Sequence, residues 1–381
     1  MKKKLAIVRG PGLNSWEMQM YTPLSDAYEI AAFVSRNHYF NVGAIPVNIH
    51  KLFSVGMFLR ARVLRKPMIA LMGDYHDLQG LERSLKGFDI VHCTDTMYYF
   101  TYQAAKAKKS CGFKLALTIW ENIPFLHHNR AAAKHKKIIF DRTDLYLAIS
   151  ERAKEVLLLE GAPAEKIKIL MPGIDIGHFK PMDKDPELLR QFNCHEDDFI
   201  VLYVANLFRE KGIFDLLFAF RSLLNRRGNS KKLKLLIAGR GKELNNISRW
   251  IETLQLTQNA FLIGSHPYAI MPKIHNLADV FILPSMPSPR WQEQFGYVLA
   301  ESMACGKPVI STLSGSIPEV VGDAGKLIQP NDFVSIMKAI EELIEDEQLR
   351  KEYGARGRHN AEQRFDARLV SQELRTIFGS L

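Results

Sequence analysis

Short apolar runs, each the length of one strand, alternate with helix-patterned segments along nearly the whole chain. Leu5–Val8, Phe88–Cys93, Lys114–Ile119, Asp144–Ile149 and Lys166–Leu170 mark the first half. Phe199–Ala205, Leu233–Ala238, Ala260–Ile263, Asp279–Ser285 and Gly325–Pro330 mark the second. Further strands are expected within residues 28–47 and at 68–72. Several runs are apolar without alternation, as in strands covered on both faces of a parallel sheet. Strand–helix alternation therefore predicts α/β architecture with mostly parallel sheets. A chain of 381 residues leads us to expect two such domains. Lys180-Pro-Met-Asp-Lys-Asp-Pro186 reads as the linker, its Asp183 and Asp185 as solvated acids. The domains are expected at 1–185, with a returning helix at 361–381, and at 195–360.

Nearly every strand in the second half ends in a glycine-bearing or polar loop, where open α/β sheets bind ligands. The fullest example runs from Glu293 to Ile310. A helix is expected over Tyr297–Cys305, preceded by Phe295-Gly296, stopped by Gly306 and Pro308, and followed by a buried strand. Glu293 stands just before that helix and Glu301 a turn inside it. A helix start suits an anion such as phosphate, and a carboxylate further in can accept hydrogen bonds from ribose or sugar hydroxyls. Charge logic thus suggests a sugar nucleotide. The alternative is that both glutamates are solvated surface acids. In the first half, Leu5–Val8 runs into Gly10-Pro11-Gly12 and a plausible cap at Ser15, from which an amphipathic helix is expected to about Ser35. Without a full GxGxxG this turn is a weak nucleotide signature.

Charge is distributed unevenly. Residues 1–190 hold 28 Lys and Arg against 19 Asp and Glu, nearly all of the net +10. A basic half suggests an anionic partner there. Lys51–Lys66 and Tyr98–Lys114 each mix cations with apolar residues, which suits an anionic membrane surface, or a core-facing helix with a basic outer face. His127 and His128 are adjacent and make no convincing metal pair. Cys93, Cys111, Cys194 and Cys305 are scattered, with no CxxC, which argues against disulfide or zinc frameworks and fits a reducing, cytoplasmic compartment. No signal peptide is expected, and no run approaches the ~18 apolar residues of a membrane span.

Taken in order, several motifs resemble the retaining glycosyltransferases of family 4, the glycosyl transferases group 1, which have the GT-B fold. The carriers are Ser150 with Glu160-Gly161, Pro172-Gly173-Ile174-Asp175, Glu210-Lys211-Gly212, Ala238-Gly239-Arg240-Gly241, Phe261–Gly264, Ala278–Ser285, and Glu293-x7-Glu301 with Ala304–Pro308. The resemblance implies two Rossmann-like domains facing across a cleft, the second holding a UDP- or GDP-sugar and the first the acceptor. It also implies a C-terminal helix that crosses back to the first domain. Glu301 would take the ribose. Phe295, Gly296, Tyr297 and Val298 would cradle the diphosphate, and Glu293 would meet the donor sugar. Lys211 would neutralise the leaving group, Gly12 and Gly239 would let backbone approach the donor, and Ser265 and His266 would lie against the base. Metal and cofactor are not required on this reading.

Three positions depart from the family. Ala205-Asn206-Leu207 stands where Gly-Arg-Leu is common, so Arg209 or Arg240 would supply the missing phosphate charge. Trp120-Glu121 replaces a frequent histidine; Glu121 would act on the acceptor hydroxyl or contact the donor sugar, or serve structurally. Trp291 would stack on sugar or base, or merely pack. The expectation is a metal-independent, retaining transferase acting on a lipid-linked or membrane-proximal glycan at the inner face of the membrane. Rival readings are a nucleotide-sugar epimerase, a non-catalytic sugar-nucleotide binder, and a nucleic-acid-binding protein, for which no base-reading module is present.

Overall fold

The computed structural model describes residues 2–59, 62–126, 129–228 and 230–381. The expectations for Arg60, His127 and His128 lie outside the described residues. Two compact units emerge, Met1–Ile174 with Ala367–Leu381, and Asp175–Asp366.

The first unit is a seven-stranded sheet. Its strands are β1 (Lys3–Gly10), β2 (Tyr28–Ser35), β3 (Asn48–Leu52), β4 (Ile90–Thr94), β5 (Lys114–Ile119), β6 (Leu145–Ala148) and β7 (Ile167–Ile169), in spatial order β3-β2-β1-β4-β5-β6-β7. The second is a six-stranded sheet of β8 (Phe199–Val204), β9 (Leu233–Ala238), β10 (Ala260–Gly264), β11 (Val280–Leu283), β12 (Val309–Thr312) and β13 (Gly325–Ile328), in order β10-β9-β8-β11-β12-β13. Every strand pairing is parallel. This is the GT-B pair of Rossmann-like sheets. In each sheet the order reverses once, between β1 and β4 and between β8 and β11. At such a switch point the two adjacent loops diverge and leave a crevice beyond the strand ends.

Burial explains the strands. Five of the six residues of β8 are buried, as are all six of β9. The helix Ile213–Arg226, which connects them, buries Ile213, Leu216, Leu217, Phe220, Leu223 and Leu224, spaced three and four apart. The last helix, Ala367–Gly379, belongs to the first unit, where Val370, Leu374, Ile377 and Phe378 join the core with Leu5, Ile7 and Ile30. Residues 361–366 stay with the second unit.

Four expectations change. No helix runs to Ser35: a short helix Ser15–Met18 and a 3-10 turn Thr22–Asp26 precede β2. Pro23 interrupts the helix pattern, and Tyr28–Ser35 carries buried residues on both faces, as a central parallel strand does. Residues 68–72 are helical, within Arg62–Met72, because a short apolar run has no period that separates strand from helix. Lys51–Lys66 is no single helix but the end of β3, a helix Val55–Phe58, and the start of Arg62–Met72. Lastly, the segment 180–186 is no loose linker and lies inside the second unit. Asn276 takes the Met182 N–H at 3.0 Å, Lys184 pairs with Asp279 at 2.8 Å, and Asp185 caps the helix Pro186–Gln191 while pairing with Lys273. Its polar residues are anchored by partners far along the chain, which local composition does not reveal.

Candidate active site

The crevice between β8 and β11 brings together Lys211 and Glu293, both singled out by the sequence. The loop after β8 supplies Lys211 and the loop after β11 leads to Glu293. Lys211 Nζ donates to Glu293 Oε2 at 2.6 Å, and Ser285 Oγ donates to the same oxygen at 3.0 Å. Lys211 also sits 4.7 Å from the centre of the Trp291 ring, a cation–π contact. Trp291 thus packs on the lysine.

Backbone fixes this pair from both sides. Met286 N–H donates to Glu210 carbonyl at 2.7 Å, tying the two loops together. Gly212 has φ +74° and a Cβ there would lie 1.8 Å from the Pro284 carbonyl oxygen. Gly315 has φ +57° and a Cβ there would lie 1.9 Å from the Glu293 carbonyl oxygen. Both positions require glycine. Gly315→Ala is expected to cost about 1–3 kcal/mol from the left-handed backbone alone, and the clash adds displacement of Glu293. Urea unfolding, read as a lowered midpoint at unchanged slope, checks this.

Glu301 lies in the helix Tyr297–Ala304, whose cap is Gly296 at φ +83°. A Cβ at Gly296 would lie 2.9 Å from Leu299 Cδ1. Phe295, buried against Phe365 at 5.5 Å between ring centres, anchors the helix start. Tyr268 donates to Glu301 Oε1 at 2.7 Å, and His275 Nε2 stands 3.6 Å from Oε2. Glu293 is 6% exposed and Glu301 3%. Neither is a solvated surface acid, so that alternative falls. A buried carboxylate needs partners, and each has them. Burial, then the Glu293 charge, push the nearby Tyr203 hydroxyl well above its ordinary pKa.

The other expected donor contacts line the same end of this sheet. Gly239 has φ +138°, packs against the Ala205 carbonyl and donates to Gly264 carbonyl at 2.7 Å. Asn206, Arg240 and Ser265 are exposed, and Val298 is half-buried. His266 tilts toward Phe192, with ring centres 5.7 Å apart. Arg209 lies 5.5 Å over the Phe214 ring and lines a cavity of about 460 Å³ with Asp215, Glu243 and Trp250. Among the described residues, no group of three or more His, Cys, Asp or Glu is placed to hold a metal.

Gly12 and Glu121 lie in the first unit. Gly12 donates to Arg9 carbonyl at 2.9 Å and has room for a Cβ; the constrained glycine of that turn is Gly10, at φ +52° against Phe100. Glu121 Oε2 accepts from the Thr96 N–H at 3.0 Å and hydroxyl at 2.7 Å, with Lys136 3.9 Å from Oε1. Asp95 accepts the Trp120 and Glu121 N–H groups, and burial, then Glu121, push its carboxyl up. Sequence reasoning missed Ser285, Tyr268 and Asp95. Pro284-Ser285 at a strand end was the one available signal, because the partners of the other two are distant in sequence.

The sequence profile of the glycosyl transferases group 1 matches residues 184–360, nearly all of the second unit. Over these residues the second unit is similar to the group 1 glycosyl transferases. The capsular polysaccharide biosynthesis glycosyltransferase CapM of Staphylococcus aureus is 31% identical over 251 residues, which cover 64% of this chain and 63% of the relative. The N-acetyl-alpha-D-glucosaminyl L-malate synthase of Bacillus anthracis is 27% identical over 50% of this chain and 48% of its own. The matched part thus spans between about half and just under two thirds of these relatives. In structure, Anabaena HepE in complex with UDP and glucose is similar with a TM-score of 0.80 at 20% identity, covering 100% of both chains. At that identity the likeness shows the fold.

Proposed function

We propose that the chain is a retaining, metal-independent glycosyltransferase that uses a UDP- or GDP-sugar. The observation that carries this reading is the Lys211–Glu293 pair at the switch point, beside a helix start with the buried Glu301 inside it. On this reading Glu301 accepts the ribose hydroxyls. The helix start at Gly296, Tyr297 and Val298 faces the diphosphate with the positive end of its dipole. Lys211 has three N–H donors, of which Glu293 takes one; the others suit phosphate oxygens. Charge that builds on the departing diphosphate is then met by a fixed cation, the work for which a metal is otherwise used. Arg209 or Arg240 supplies, on this reading, the phosphate charge that the Asn206 loop lacks. Anabaena HepE, captured with UDP-glucose, supports a sugar nucleotide, and CapM by its name supports a glycan product.

Thermal-shift screening against UDP-, GDP- and ADP-sugars tests the reading. A true donor at a hundredfold excess over Kd raises stability by about 2.7 kcal/mol. Slow hydrolysis of that donor, unaffected by EDTA and lost in Glu293→Ala, is the expected result. No shift with any of the three sinks it, and an EDTA-sensitive reaction removes the metal-independent part. An epimerase would instead release an altered sugar nucleotide.

A membrane-proximal acceptor draws support from the helix Arg62–Met72 and its surroundings. Leu71 is 79% exposed and Phe58 63%, with Leu64, Ile69 and Phe53 also exposed beside Lys51 and Lys66. Exposed apolar side chains next to cations suit an anionic bilayer surface. The helix Tyr99–Cys111 does not share this feature, since Phe100, Ala104, Ala105 and Ala107 face the core. Among the described residues no helix is long and apolar enough to cross a membrane. Cosedimentation with phosphatidylglycerol vesicles is expected at low salt and to fall at least tenfold in Leu64→Glu/Leu71→Glu. Equal binding by parent and variant contradicts this attachment.

A further inference from the structure

The first sheet has its own switch point, between β1 and β4, and an unusual cluster stands beyond it. Gly10 ends β1 against the Phe100 ring, where a Cβ would come within 2.6 Å of Cε1. Phe100 stacks on Tyr98, with ring centres 4.9 Å apart, and Tyr98 meets His76 edge-on at 5.3 Å. His76 Nε2 is 3.3 Å from the Tyr39 hydroxyl, and Tyr39 N–H donates to the Pro11 carbonyl at 2.9 Å. The circuit therefore closes on the turn after β1. Tyr39 continues outward to Phe40 and Trp16, with centres 6.4 Å and 4.7 Å apart in turn.

Hydrogen bonding sets the direction of the polar groups. Asp74 Oδ1 lies 2.8 Å from His76 Nδ1, and Asp74 Oδ2 accepts from the Tyr99 and His76 N–H groups, each at 3.1 Å. Burial alone would raise the Asp74 carboxyl, but the bonds and charge of His76 and the backbone donors hold it below its ordinary value. An ionised carboxylate only accepts, so His76 donates to Asp74 from Nδ1 and turns Nε2 toward Tyr39. The Tyr39 hydroxyl meets His76, Met57 Sδ at 3.7 Å and Tyr75, so it is fixed from within while its ring faces outward. Its ring is 53% exposed. Capping of the helix Tyr99–Cys111 would explain Asp74, but not an oriented imidazole that ends on an exposed tyrosine.

We propose that this rim is a subsite for a pyranose ring of the acceptor. The Tyr39 face packs on the C–H face of the sugar, and the polar edge that Tyr39 and His76 form, fixed by Asp74, meets a sugar hydroxyl. Aromatic faces edged by a few fixed polar groups are what such a ligand needs, and the switch point is where this sheet should bind it. The acceptor role rests on the glycosyl-transfer reading above; sugar binding itself does not.

Saturation-transfer NMR on the full chain tests it, with methyl glycosides of glucose, galactose, mannose and N-acetylglucosamine as probes. At least one should bind, with affinity lowered tenfold or more in Tyr39→Ala and to a lesser extent in Tyr39→Phe, which keeps the ring. Donor-induced thermal shift, followed in parallel, should be unchanged in both variants. Glycosides that bind Tyr39→Ala as well as the parent, or no binding to the parent, overturn the subsite. A normal donor shift without glycoside binding places the failure here, and glycoside binding without any donor shift places it in the second unit.

Discussion

Lys211→Ala is expected to lower kcat/KM by about 10²–10³-fold, the usual cost of removing one group that stabilises developing charge. The drop should fall on kcat, because the diphosphate carries most negative charge as the glycosidic bond breaks. Folding should suffer as well, because Lys211→Ala takes the cation from the buried Glu293, and breaking such a pair destabilises far more than the intact pair contributes. Lys211→Arg separates the two effects. It keeps the charge and the ion pair but not the point geometry, so stability should return while activity stays low. Steady-state rates at saturating donor, set beside urea unfolding of the same proteins, decide the matter. Near-normal kcat in Lys211→Ala would remove the lysine from the chemistry.

Glu17→Ala should destabilise the first unit by about 3–5 kcal/mol, the penalty for leaving a buried charge without its partner. Arg9 is 3% exposed, and its Nε donates to Glu17 Oε1 at 2.6 Å. The same guanidinium donates to Tyr21 and to the Val8 and His92 carbonyls. Burial, offset by the Glu17 charge and by Tyr21, leaves Arg9 firmly charged, with its pKa raised. A charge held this way cannot escape by neutralising itself. Replacing both partners with apolar residues of similar size, Arg9→Met with Glu17→Leu, should recover much of the loss. Urea unfolding of the single and double variants checks both statements. A Glu17→Ala cost below about 1 kcal/mol, the range of a solvated pair, would contradict the buried geometry.

The second unit was legible because its signals are local. Continuous apolar runs such as Phe199–Val204 and Leu233–Ala238 are buried on both faces, and the helix over Tyr297–Ala304 stops near a Gly306 at φ +69°. Glu293 and Glu301 stood out by spacing, yet spacing alone favoured a solvated role, the usual fate of glutamate. What decided between the two was burial, together with Lys211, Ser285 and Tyr268, which approach from other loops. The first unit was harder. Tyr28–Ser35 follows a proline turn that breaks a helix-like pattern, and residues 68–72 form a helix with much of its surface exposed, so periodicity had little to report. The Asp74–His76–Tyr39 chain joins two loops, and the partnership left no trace in either stretch alone. Lys180–Pro186 carries the composition of a linker, and only tertiary partners show it to be fixed.

The central claim is that Glu301 holds the ribose of a nucleotide at the β8–β11 crevice. Calorimetric titration with UDP, GDP and ADP, and then with the 2′,3′-dideoxy form of whichever binds, tests it most directly. One nucleotide should bind the parent, and removing its ribose hydroxyls should weaken binding about tenfold or more, one to two hydrogen bonds to a charged group. Glu301→Ala should bind the intact nucleotide as weakly as the parent binds the dideoxy form, with no further loss when both changes are combined. Full affinity in Glu301→Ala, or losses that simply add, would contradict the account.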